Sequence, residues 1–188
     1  MPGSPAPASE PVAAPGFEAV YQDCFDFVWR SLLRLGVPER SVDDAAHDVF
    51  LVVHRRLSDF EGRSSVRTWL FGIAWRVANQ YRARERRHAG TGAEDADPPD
   101  SERRRPEAQL ARREAAELVQ RLLERLVPER RAVLVAVEIE ELSVPEVAEA
   151  LLIPLNTAYS RLRLARRDFE RALRRLEAQE RGRERCTV

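Results

Sequence analysis

The chain contains no lysine; all 31 of its basic residues are arginine. That usage fits a GC-rich genome, and it also gives every cation a planar donor fork suited to phosphates and guanine edges. Cysteine is nearly as scarce. Cys24 and Cys186 are far apart, form no CxxC pair, and do not combine with His47, His54 or His88 at metal-ligand spacing, so neither a disulfide frame nor a metal site is expected. A partly buried thiol for Cys24 and a tail thiol for Cys186 are the plain readings. No apolar run approaches the length that spans a bilayer, and "MPGSPAPASEPVAAPG" lacks both a basic start and an apolar segment, so no membrane insertion is expected and the location expected is cytoplasmic. No carboxylate cluster, phosphate-cradling glycine loop or nucleophile-base pair appears, so we expect no enzyme activity and no cofactor.

Aromatics make up 7% of the 188 residues, against 44% hydrophobic and 33% charged. With very few alternating strand-like runs, these values predict an all-α protein with enough apolar material for a core. Composition changes sharply near His88, where "AGTGAEDADPPDSERRRPEA" collects Gly, Pro, Ser and acids. The expected organisation is a tail over 1–16, a helical domain over 17–88, a flexible linker over 89–107, a second helical domain over 108–180 and a tail over 181–188. Roughly twenty linker residues span at most ~70 Å, about two turns of DNA at ~34 Å per turn.

The formal net charge of zero conceals a segregated pattern. Residues 71–90 hold five Arg against one Glu and residues 156–175 hold seven Arg against two acids, whereas 94–102 and 138–149 each carry five acids and no base. Two basic surfaces follow, one per domain.

In the second domain, Pro128 suits a first helical position and opens an apolar helix with Val133, Leu134, Val137 and Ile139. Ser143 and Glu146 form an S-x-x-E capping box for a short helix ending near Leu151. After "LLIP", Asn156 or Thr157 is expected to cap a third helix whose Ala158, Leu162, Ala165, Phe169 and Leu173 make an apolar stripe. Its other side carries Thr157, Tyr159, Ser160, Arg161, Arg163, Arg166 and Arg167. A short helix, a tight turn and an arginine-rich helix describe a helix-turn-helix, whose second helix enters the major groove. Its N-terminus suits a phosphate, and its arginines suit guanine or the backbone.

In the first domain, "DDAAHDVFLVVHRRL" reads as an amphipathic helix, Asp43 and Asp44 at its positive end and Ala46, Phe50, Val53 and Leu57 inward. Asp48, Leu51, Val52 and Arg55 face out, and exposed Leu51 and Val52 beside charge suggest a protein-binding surface. "SDFEGRSSVRTWLFGIAWRVANQYRARERR" reads as a glycine-containing loop and a long helix with Leu70, Ile73, Ala74, Val77 and Tyr81 inward. Opposite stand Trp69, Arg76, Asn79, Arg82 and Arg86, the mixture a single-strand platform needs, since stacking contributes ~1–3 kcal/mol per base. Core burial of Trp69 and Trp75 is the competing reading.

These segments, in this order, resemble a bacterial RNA polymerase sigma factor of the sigma-70 family, extracytoplasmic-function group. "DDAAHDVFLVVHRRL" resembles region 2.2, "WLFGIAWRVANQYRARERR" regions 2.3 to 2.4, and "LVPERRAVLVAVEIEELSVPEVAEALLIPLNTAYSRLRLARRDF" region 4. The resemblance implies core RNA polymerase and promoter DNA as partners. It implies that Asp48, Leu51, Val52 and Arg55 face the polymerase, with Phe50 turned to the core. Phe60, Arg63, Ser64, Trp69, Arg76, Asn79, Arg82 and Arg86 would capture the −10 element, while the helix from Asn156 would read the −35 element. With the exposed apolar faces, it further implies restraint by an anti-sigma protein. Opening five base-pair steps at ~1.4 kcal/mol each costs roughly 7 kcal/mol, more than so small a domain supplies alone.

Three positions depart from the family pattern. Leu152 stands where glycine is usual in the turn, and a left-handed leucine costs ~1–2 kcal/mol. Arg76 stands where asparagine is frequent, and His47 where an acid or glutamine is common. Two other readings compete at this level: a duplex-binding regulator that acts without polymerase, and a helical adaptor that binds only proteins.

Overall fold

The computed structural model describes residues 16–88 and 107–186. The expected N-terminal tail up to residue 15 and the expected linker from 89 to 106 lie outside the described residues. Among the described residues there are seven α-helices and no strand.

The first domain holds α1 (Phe17–Arg34), α2 (Val42–Arg56) and α3 (Val66–His88). α1 buries Val20, Cys24, Phe27, Val28, Ser31 and Leu32, one stripe at three- and four-residue spacing. It stops at Gly36, whose φ of 89° lets the Val37 amide reach the Leu32 carbonyl at 3.1 Å and the Gly36 amide reach Leu33 at 2.9 Å. That is a Schellman ending, in which a left-handed residue satisfies the last carbonyls. α2 begins at Val42, with Asp43 and Asp44 in its first turn, and buries Val42, Ala45, Ala46, Val49, Phe50 and Val53. α3 buries Leu70, Phe71, Ile73, Ala74, Val77 and Ala78.

The second domain holds α4 (Glu107–Glu124), α5 (Pro128–Leu134), α6 (Val144–Ala150) and α7 (Leu155–Cys186). Pro128 occupies the start of α5 as expected, and a π-helical turn, Val135–Ile139, carries the chain on to Glu140. Two boundaries differ from the sequence reading. α7 begins at Leu155, because the Pro154 carbonyl already accepts the Thr157 and Ala158 amides, so Asn156 and Thr157 lie inside the first turn and do not cap it. At the other end α7 runs on to Cys186, through most of the stretch read as a tail.

The two domains pack on each other. One apolar core runs from Val20, Leu32 and Phe71 to Leu123, Val133 and Val147. α3 approaches α6 so closely that a Cβ on Gly72 would lie 2.7 Å from the Ala150 carbonyl oxygen. Thr68 donates to Glu146 at 3.2 Å, and Gln120 donates to the Leu33 carbonyl at 2.9 Å. Fully buried side chains of this size contribute about 1.5–3 kcal/mol each, so a shared core is a substantial constraint on how the domains move.

Candidate nucleic-acid interface

The helix-turn-helix is built from α6 and α7. Ser143 Oγ accepts the Glu146 amide at 3.4 Å, and Glu146 Oε2 accepts the Ser143 amide at 3.1 Å and its hydroxyl at 2.6 Å. These bonds, with a smaller one from Thr68, hold the Glu146 carboxyl below the usual range. α6 ends as α1 does: Ile153 donates to Ala148 at 2.9 Å and Leu152 to Glu149 at 3.1 Å. The left-handed position of this ending is Leu152, with φ 55°, so the turn keeps its form and carries the strain.

α7 buries Ala158, Leu162, Ala165 and Ala172 against the domain core. Turned outward are Asn156, Tyr159, Ser160, Arg163, Arg166 and Arg167, while Thr157 and Arg161 are half-buried. Ser160 donates to the Thr157 carbonyl at 2.9 Å, and Arg166 donates twice to Glu138, at 2.9 and 2.6 Å. The face is thus a row of exposed donors with a phenol ring at its leading end, a surface that can meet phosphates and base edges together.

A second surface surrounds the start of α3. The Phe60 and Trp69 rings lie 5.4 Å apart, and residues 59–64 with Trp69 line an open cavity of about 170 Å³. Gly62 turns this loop at φ 68°, and Arg63 pairs with Glu61 inside it. Ser65 Oγ accepts the Thr68 amide at 3.0 Å, a cap for α3 that the sequence reading missed although its S-x-x-T spacing is visible. Phe60, Arg63, Ser64 and Trp69 therefore come together, and Arg76 and Arg86 are exposed further along the helix.

Arg82 does not join them. It is buried, with 8% exposure, lies 4.8 Å over the Trp75 ring, and donates to the Leu35 carbonyl and to Asn79 Oδ1. Asn79 is half-buried and engaged by that bond. The reason is that α3 has three faces, not two. Besides its core face and its outer face it carries Thr68, Gly72, Trp75, Asn79 and Arg82 at three- and four-residue steps, and this stripe is turned toward the second domain.

On α2, Leu51 is 40% exposed, Arg55 is exposed and Val52 is half-buried. Asp48 is half-buried and accepts the Tyr81 hydroxyl at 2.9 Å, so it ties α2 to α3. Burial first, and then this bond, push the Tyr81 phenol up to about 12. Phe50 is buried, as expected.

Two charged residues with central positions went unrecognised in the sequence, Glu140 and Arg131. Glu140 is buried and accepts from Ser31 at 3.2 Å and Arg34 at 2.7 Å, with Arg67 at 3.6 Å. Nothing local to either residue marks it as buried. Among the described residues no cluster of three or more His, Cys, Asp or Glu is placed to hold a metal ion, and no helix is long and apolar enough to cross a membrane.

Comparison with known proteins bears on both surfaces. Residues 20–88 match the family described as Sigma-70 region 2, and residues 116–169 match Sigma-70, region 4. The chain is similar to the RNA polymerase sigma factor NccH of Alcaligenes xylosoxydans xylosoxydans, 34% identical over 135 residues, covering 70% of this chain and 72% of that one. It is also similar to the ECF RNA polymerase sigma-E factor of Escherichia coli K12, 29% identical over 144 residues, with 72% and 75% covered. Among solved structures it is similar to CnrH in complex with the cytosolic domain of CnrY, with a TM-score of 0.60 at 25% identity over 84% of this chain and 86% of that one.

Proposed function

The chain belongs to the sigma-70 family of RNA polymerase sigma factors, in the extracytoplasmic-function group, and we propose a division of its promoter-directing work between the two surfaces described above. Residues 17–88 act as region 2 and residues 108–180 as region 4, joined by the linker over 89–107. α7 reads the −35 element. Tyr159, Ser160 and Arg163 reach base edges, and Arg166 and Arg167 hold phosphates, with Arg166 exchanging Glu138 for the backbone.

Region 2 captures the −10 element as single strand. A flipped base enters the cavity between the residue 59–64 loop and Trp69, stacks near Phe60 and Trp69, and is followed along the backbone by Arg63, Arg76 and Arg86. Arg82 is left out of this set because it is buried against Leu35. Leu51, Val52 and Arg55 on α2 meet core polymerase, and Asp48 positions that helix through Tyr81.

The observation that carries the reading is the juxtaposition of an aromatic-walled loop cavity on one domain with an exposed arginine face on a capped helix-turn-helix of the other. Polymerase retains the catalysis; this chain contributes recognition and capture in the cytoplasm. An anti-sigma protein is a further partner, a reading supported by the family resemblance and by a structural neighbour, the sigma factor RpoE of Bartonella quintana, solved in complex with the anti-sigma factor NepR. The test is promoter probing with core polymerase present. Trp69→Ala should leave upstream protection while abolishing strand opening, and Arg163→Ala should abolish upstream protection. If strand opening in Trp69→Ala equals wild type, the cavity is not the capture site.

A further inference from the structure

Between the two domains lies an open cleft of about 440 Å³, whose lining includes Leu33, Val37 and Pro38 together with Arg82 and Arg131. Both arginines are more than nine-tenths buried, with exposures of 8% and 7%. The Nε of each is buried without a hydrogen-bond partner. Among the described residues neither guanidinium has an acid within ion-pair distance. The acids nearest the opening, Glu39 and Glu124, line its edge and are exposed.

Two like charges have thus been taken out of water side by side. Burial, and after it the Arg131 charge, push the Arg82 guanidinium down to about 10. Burial also lowers Arg131, with Glu124 acting the other way. Buried charges in folded proteins are paired as a rule, because an unpaired one loses its hydration with nothing in return. Gly36 is part of the arrangement: the Arg131 guanidinium lies against the space that a Cβ on that residue would take, so a side chain there would displace the cation.

We propose that this cleft binds a small phosphate ester, its phosphate supplying the counter-charge for Arg82 and Arg131 and its organic part resting on Leu33, Val37 and Pro38. The volume falls in the range of small-molecule sites, about 300–1,000 Å³, and exceeds what a bare phosphate needs. Arg131 presents the planar fork that phosphate oxygens accept, and Arg82, whose terminal nitrogens also donate to Leu35 and Asn79, adds its charge and its remaining N–H groups. Since Arg82 belongs to α3 and Arg131 to α5, the ligand bridges the two domains.

Thermal unfolding of the full chain tests this with adenosine monophosphate, inorganic pyrophosphate and inorganic phosphate, each against sodium chloride at equal ionic strength. The expected result is a saturable rise in Tm with adenosine monophosphate of several degrees, larger than with inorganic phosphate and not seen with chloride. In Arg131→Met the starting Tm should be higher than wild type, because an unpaired buried charge is gone, and the response should vanish; Arg131→Gln serves if the methionine variant does not fold. Equal responses to adenosine monophosphate and inorganic phosphate would overturn the assignment of an organic wall contact. A rise that persists in both variants, or no saturable rise with any phosphate, would overturn the site.

Discussion

Arg34 and Glu140 are 106 residues apart in the chain and meet at 2.7 Å across the junction of the two domains. Ser31 donates to the same carboxylate oxygen at 3.2 Å, and Arg67 approaches the other at 3.6 Å. The acid is buried whereas both arginines are partly open to water, so the contact is formed at the edge of a shared core and is only partly screened. It is the most specific polar tie between the domains.

Glu140→Ala removes the acceptor and leaves Ser31 buried without its partner. Charge-assisted hydrogen bonds contribute about 1.5–3 kcal/mol, less where one partner is exposed, so a loss of about 2 kcal/mol in stability is expected. The radius of gyration from X-ray scattering should rise as the domains part, with helix content unchanged. An unchanged radius would show that the apolar core holds the domains together without this tie.

Gly72→Ala separates two effects with opposite signs. Inside a helix the change ordinarily stabilises by about 0.8–1 kcal/mol. Here the new methyl would meet the Ala150 carbonyl oxygen at 2.7 Å, and backbone cannot yield as a side chain tip can. A lowered Tm for the full chain, together with a larger radius, is the expected outcome. A raised Tm at constant radius would mean that α3 and α6 slide apart without cost.

Leu152 occupies after α6 the place that Gly36 occupies after α1. Both have positive φ, 55° and 89°, and both sit in the same pattern of terminal hydrogen bonds. Leu152 is 79% exposed, so its side chain contributes little packing. Replacing it by glycine relieves about 1–2 kcal/mol of left-handed strain, partly offset by the greater freedom of glycine in the unfolded chain. A net gain of about 0.5–1 kcal/mol in unfolding free energy, read as a higher denaturant midpoint, is expected; an equal or lower midpoint would contradict the strain.

The helices were largely legible because their signals are local. Ser143 with Glu146, Pro128, and the stripes through Ala46, Phe50 and Val53 or Ala158, Leu162 and Ala165 depend on residues one to four positions apart. The exposed face of α7 followed from the same periodicity, and the resemblance put Phe60 and Trp69 in one set without saying that their rings meet. What stayed hidden depends on distant partners. Arg82 belongs by spacing to an arginine-rich outer stripe, and only the arrival of α5, over forty positions later, turns that stripe inward. Glu140 sits in an acidic run that reads as solvated surface, and its burial is decided by Ser31 and Arg34. Composition suggested separable modules; small residues such as Gly72, which leave no apolar signal, permit the domains to pack.

Burial of the Tyr81 phenol, with its bond to Asp48, gives a signed pH dependence. The folded phenol, pushed up to about 12, keeps its proton where the unfolded one, near about 10, has lost it. The unfolded state therefore binds fewer protons across that window, and the stability from this group, fully present below about 10, falls as pH rises to about 12. Arg82, pushed down to about 10, titrates in the same window with the opposite sign. The readout is therefore the difference between wild type and Tyr81→Phe: the stability advantage of wild type should shrink through the window. A constant difference would contradict the raised phenol.

The most direct test of the account is run-off transcription with purified core polymerase and promoter fragments from the host. The wild-type chain should confer defined start sites that core polymerase alone does not use, and Arg163→Ala, which alters only the exposed face of α7, should abolish them with folding intact. If the wild-type chain leaves start-site choice unchanged, or Arg163→Ala initiates as wild type does, the assignment of α7 to promoter reading is contradicted.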